Sequence, residues 1–161
     1  MISTFLVASP WLTTVALAGI VIVGPLLGRW LAPRPRIAWV LAAMAVLVVL
    51  VLTLTPDDAR PAAGCAVQWS LPRVGSVELI ANLILFVPPV LLAGVASGRP
   101  IVAALAGSGL SVVIEVLQAL IPAIGRSCDT NDWLYNSLGA VLGGLLAALA
   151  LRLARRVRST T

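Results

Sequence analysis

The sequence predicts an all-α fold: a polytopic transmembrane helix bundle with about five spanning helices. Three observations carry the prediction. Of 161 residues, 60% are hydrophobic and 11% charged, against roughly 25% charged in a soluble domain. The apolar residues gather into five runs, each long enough at 1.5 Å per residue to cross roughly 30 Å of hydrocarbon. The charged residues gather between those runs, and the mean hydropathy is +1.07. Residues 1–161 therefore read as a single membrane domain.

The first run spans about Pro10 to Leu31. No Lys or Arg precedes Arg29, so it lacks the basic flank of a cleavable signal and reads as a retained helix with its N-terminus outside. The second run is about Ile37 to Thr55. The third, about Leu79 to Ser97, brings Glu78 and Asn82 to one face, four residues apart. Pro88 and Pro89 interrupt it, and a kink is expected where the amide donors are lost. The fourth run, Ile101 to Ile121, carries Glu115 and Gln118 one turn apart among valines. The fifth, Trp133 to Leu151, is rich in small residues: the Gly139/Gly143 and Ala140/Gly144/Ala148 spacings suit close helix approach.

The loops give an orientation. Arg29, Arg34, Arg36, Arg99, Arg152, Arg155, Arg156 and Arg158 fall on one side, and only Arg60, Arg73 and Arg126 on the other. The positive-inside rule makes the first side cytoplasmic, so the C-terminus is expected in the cytoplasm. All six acidic residues, Asp57, Asp58, Glu78, Glu115, Asp129 and Asp132, then lie in the outer half. Trp11, Trp69, Trp133 and Tyr135 would mark the outer interface, with Trp30 and Trp39 at the inner one.

Composition also excludes some functions. There is no histidine, which removes any Ser-His triad and any His-based metal site. The net charge of +5 comes from Arg alone, set between apolar runs, so it reads as topology and not as a nucleic-acid surface. The basic stretch Arg152 to Arg158 reads as an anchor on anionic lipid. Cys65 and Cys128 both fall outside, where a disulfide can form; two isolated small apolar residues is the other reading.

Ionisable side chains within membrane helices usually face a bundle interior or a water-filled cavity. Asp132, Asn136, Gly139 and Gly143 share one stripe of the fifth helix. Glu115, Arg126, Asp129, Asp132 and Asn136 are expected to converge in one outward-opening cavity, with Asn82 and Gln118 beside them and Glu78 as a further candidate lining residue. Three acids with amide oxygens suit a hard cation such as Mg²⁺ or Ca²⁺, with Glu115, Asp129 and Asp132 as its candidate ligands.

The run Ser111–x–x–x–Glu115–x–x–Gln118, then Gly125–Arg126–x–x–Asp129–x–x–Asp132–x–x–x–Asn136–x–x–Gly139–x–x–x–Gly143, resembles the signature of the VanZ-like membrane proteins. Asn82–x–x–x–Phe86–x–Pro88 resembles that family's second motif, so the likeness covers residues 78–144. One position departs: Val90 stands where the family usually carries Gly. The family takes its name from a protein linked to resistance to teicoplanin, a lipoglycopeptide that binds cell-wall precursors. The resemblance implies a bacterial cytoplasmic membrane protein of the cell envelope.

Three functional readings follow. The first is recognition of a lipid headgroup, a cell-wall lipid precursor or a lipophilic glycopeptide, with Arg126 taking a phosphate and the carboxylates an amine, hydroxyl or bridging ion. The second is an enzyme modifying such a lipid, with Glu115 or Asp132 as acid–base catalyst and Ser111 as candidate nucleophile. The third is a structural cluster in which Arg126 pairs with Asp129 or Asp132. A proton or ion relay is disfavoured, because the inner halves of all five runs lack acids.

Overall fold

A computed structural model describes residues 11–56, 65–67, 69, 77–125 and 128–158. Arg126 and the loop positions Asp57, Asp58, Arg60 and Arg73 fall outside them. The described chain forms α1 (Trp11–Leu31), α2 (Pro35–Leu54), α3 (Val77–Ser97), α4 (Pro100–Leu120), a 3-10 turn (Pro122–Ile124) and α5 (Thr130–Arg158). All five α-helices are long and apolar enough to cross a membrane. Among the described residues there is no strand, only an isolated bridge between Ala66 and Asp129.

Local chemistry sets the helix ends. Pro35 and Pro100 open α2 and α4 at the first helical turn, where a missing amide costs no hydrogen bond. Gly98, at φ 67°, follows α3 and lets the chain reverse directly into α4. The last helix runs further than its apolar stretch predicts, to Arg158 instead of Leu151. The extra residues are Arg, Leu, Ala and Val, mostly good helix formers with no breaker. At 29 residues α5 is about 43 Å long, more than the hydrocarbon needs, so its exposed Arg152, Arg155 and Arg156 sit on turns beyond the span.

α3 and α5 pack most extensively and form the hub. α1 rests on both, α4 on both, and α2 mainly on α3. The α3–α5 contact is close because α5 has no side chain where it meets the α3 backbone. A Cβ on Gly139 would lie 2.2 Å from the Leu83 carbonyl oxygen, and one on Gly143 would lie 2.7 Å from that of Val87. Leu83 and Val87 are four apart, as are Gly139 and Gly143, so two successive turns interlock. In lipid, where no hydrophobic force drives helices together, such van der Waals fit carries association.

The expected interruption at Pro88 and Pro89 does not break α3, which is continuous from Val77 to Ser97. Packed neighbours let membrane helices keep proline where an isolated helix would end. Val90, the position that departs from the family pattern, is 3% exposed and packs with Ala103 and Ala140. Its space comes from glycines on both neighbours: Cβ atoms at Gly107 and Gly143 would meet Val90 side-chain atoms at 2.5 and 3.0 Å. Tyr135 is not an interface residue; at 1% exposure it is among the most buried side chains, because its face of α5 turns into the bundle.

Part of the α2–α3 connection is strapped to the start of α5. Ala66 N donates to the Cys128 carbonyl (2.9 Å), and Thr130 N donates to the Ala66 carbonyl (3.1 Å). Cys65 and Cys128 are disulfide-bonded with Cα atoms 4.5 Å apart. Trp69 meets Trp133 edge to face at 6.3 Å.

Gly139→Ala should lower thermal stability in detergent by about 3 kcal/mol through forced helix separation. Gly109→Ala, with open space around the new Cβ, should be neutral or slightly stabilising. Equal effects at the two sites would contradict the close approach. Reduction of the disulfide, or Cys65→Ser, should also lower the melting midpoint. The chain-entropy ceiling for such a loop is about 4 kcal/mol, and the membrane anchorage of α2 and α3 makes the expected loss smaller. An unshifted midpoint would show that the strap carries no stability.

Candidate functional site

The polar residues gather where α4 ends, the chain turns, and α5 begins. Gly125 takes φ 69°, a left-handed conformation that suits glycine at the turn. Asp129 precedes α5 and caps it: Oδ1 accepts the Asn131 amide at 2.9 Å. Asp132 lies in the first turn, where a carboxylate favours the positive end of the helix dipole. Glu115 reaches across from α4, and its Oε2 accepts the Asp129 amide at 3.0 Å. One carboxylate thus satisfies a backbone donor that the start of α5 would otherwise leave orphaned.

Glu115 is 6% exposed, and its other oxygen takes no hydrogen bond among the described residues. It lines a cavity of about 420 Å³ together with Asp129, Thr130, Trp133, both cysteines and an apolar wall from α4 of Val112, Val116, Ala119 and Leu120. Val112, Val116 and Leu120 are exposed on the outside of the bundle, so the cavity opens sideways, toward lipid.

The expected convergence divides into parts. Glu115 and Asp129 line this cavity. Three interhelical hydrogen bonds take up the other polar residues. Asn82 Nδ2 donates to Asp132 Oδ1 at 2.6 Å, joining α3 to α5. Asn136 Nδ2 donates to Ser111 Oγ at 3.0 Å, joining α5 to α4. Gln118 Nε2 donates to the Thr53 carbonyl at 2.9 Å, joining α4 to α2. Glu78 is exposed, one turn before Asn82. Arg126 lies outside the described residues.

Polar groups buried in hydrocarbon need partners, and these bonds supply most of them. Two amide oxygens, Gln118 Oε1 and Asn136 Oδ1, have none, nor does the Trp133 indole N–H. Ser111 is fully buried and bonded to Asn136, which places the candidate nucleophile in helix packing and not at the cavity wall. Among the described residues no group of three His, Cys, Asp or Glu side chains is arranged to hold a metal ion.

Sequence reasoning missed Trp133 as a cavity wall and Thr53 as the partner of Gln118. The first was readable as the neighbour of Asp129 across one helical turn. The second is a backbone carbonyl, which no side-chain pattern marks. It also missed Ser108 and Ser137, whose hydroxyls bond at 2.7 Å between α4 and α5.

The VanZ/LLP1 family model matches residues 38–151, from early α2 almost to the apolar end of α5. No curated protein and no solved structure matches the chain. The matched span holds the α3–α5 hub, the capped start of α5 and the Glu115 cavity, and the chain belongs to the VanZ/LLP1 family.

Proposed function

We propose that the Glu115 cavity recognises the polar end of an amphiphile in the outer leaflet of a bacterial cytoplasmic membrane, and that the group it takes is an amine. The observation that carries this reading is a cavity of about 420 Å³ with an apolar surface, opening toward lipid, with the carboxylate residues Glu115 and Asp129 at its border. Carboxylates in a low-dielectric wall attract a cation. Trp133 adds an aromatic surface, and indole is the best partner for an ammonium group.

Amine-bearing envelope lipids and lipophilic glycopeptides share that chemistry, and the family's link to teicoplanin makes the second a natural arm of the test. Topology supports placing the cavity outside. The exposed Arg152, Arg155 and Arg156 and the loop Arg34 and Arg99 belong to the opposite end of the bundle, which the positive-inside rule assigns to the cytoplasm. A disulfide at the cavity end fits an oxidising compartment.

Purified protein in nanodiscs should bind an ethanolamine phospholipid more tightly than a glycerol phospholipid with the same tails. Glu115→Gln should weaken the first by about tenfold, as expected for a lost charge-assisted bond, and leave the second unchanged. Teicoplanin in place of the ethanolamine lipid tells whether the drug uses the same residue. If Glu115→Gln only lowers thermal stability and leaves every affinity intact, the carboxylate is a helix cap and nothing more.

A further inference from the structure

We infer that the Cys65–Cys128 disulfide is a redox latch on Glu115: oxidised, it keeps that carboxyl group sealed against the start of α5, and reduced, it lets water reach it. The latch controls access to the site of the headgroup reading but does not depend on which ligand enters there. Cys65 belongs to the α2–α3 connection, and Cys128 stands immediately before Asp129. The Asp129 amide in turn donates to Glu115 Oε2 at 3.0 Å. From the disulfide to the carboxylate the path is one peptide bond and one hydrogen bond. Both cysteines and both acidic residues border the same cavity of about 420 Å³.

With the disulfide formed, Glu115 is closed off. The residue is 6% exposed, and the cavity it borders has an apolar surface. The α2–α3 connection is joined to the start of α5 by the disulfide, by two backbone hydrogen bonds of Ala66 and by the Trp69–Trp133 edge contact. The noncovalent ties are individually modest. The disulfide is covalent, and the chain has no other cysteine to replace it. Cutting it leaves a loop and a helix start held by ties that open and close locally. The Asp129 amide then parts from Glu115, and water takes its place.

The bond is placed for exchange at one end. Cys65 is exposed, whereas Cys128 is 7% exposed, and exposed disulfides are the ones open to regulation. The co-reactant is an external dithiol. Its thiolate attacks Cys65 Sγ, forms a mixed disulfide and expels Cys128 as a thiolate, which takes a proton from water. The second thiol of the same reductant then attacks the mixed disulfide, frees Cys65 and leaves the reductant oxidised to its own disulfide. Two electrons pass to the protein, and both cysteines end as thiols. The reverse exchange, with a disulfide oxidant, closes the latch.

Carboxyl labelling of the purified protein in nanodiscs, well below its melting midpoint, tests the latch. A water-soluble carbodiimide with glycine methyl ester converts each carboxyl group that water reaches into an amide, and peptide mass spectrometry reads the sites separately. After reduction with dithiothreitol, Glu115 should label about tenfold faster, the scale of one lost hydrogen bond, and reoxidation should restore the slow rate. Glu78, already exposed, should label equally in both states. Cys65→Ser should hold Glu115 at the fast rate with or without reductant; where that variant fails to fold, reduced and alkylated wild-type protein takes its place. Equal Glu115 rates before and after reduction overturn the latch. An equal rise at Glu78 and Glu115 also overturns it, because it reports general loss of structure. No ligand affinity enters these rates, so the headgroup reading stands or falls by its own experiment.

Discussion

The backbone contact between α3 and α5 sets everything above it. Gly139 and Gly143 let α5 settle against the carbonyls of Leu83 and Val87, and that fixes both the separation and the register of the two helices. Two turns nearer the mouth, the same register brings Asp132 to Asn82 at 2.6 Å. It also sets where α5 begins, and hence where Asp129 can receive Glu115 from α4. A bulkier α5 would move the polar mouth with it.

Above that contact, the polar groups do two kinds of work. Asn82–Asp132, Asn136–Ser111 and Gln118–Thr53 each tie one helix to another, as polar groups in membrane helices require. Glu115 ties α4 to the start of α5 through the Asp129 amide, Asp129 caps α5 through the Asn131 amide, and both residues also border a cavity. Helix capping and ligand binding are compatible in one carboxylate, because a second oxygen remains. Cys65 and Cys128, joined by the disulfide, are among the cavity's lining residues, and Trp69 meets the lining residue Trp133 edge to face.

Much of the fold was legible because lipid imposes a simple code. Runs of about 20 apolar residues, broken by Arg-rich loops, give the helix number directly. The Asp132–Asn136–Gly139–Gly143 stripe was legible because helical periodicity puts those positions on one face. What that face meets was not: three of the four lie against α3, while Asn136 bonds to α4. Tyr135 was misplaced because aromatic side chains near a helix end suggest an interface, whereas burial depends on rotation about the helix axis. The partners of the polar residues depend on packing in the same way. Glu115 and Gln118 are one turn apart on α4, yet the first lines the α5 side and the second reaches a carbonyl of α2. Sequence spacing shows which residues are neighbours on a helix, and packing decides which partner each one finds.

Photo-crosslinking in the native membrane reads the occupant of the cavity directly. A benzophenone amino acid replacing Val116 sits in the cavity wall; the same group replacing Val113, exposed one turn away and outside that wall, samples bulk lipid. Mass spectrometry then identifies the adducts at each position. An amine-bearing amphiphile enriched at residue 116 over residue 113, and lost from 116 with Glu115→Gln, is the predicted result. Identical adduct profiles at the two positions, matching the surrounding bilayer, would contradict a ligand site at Glu115.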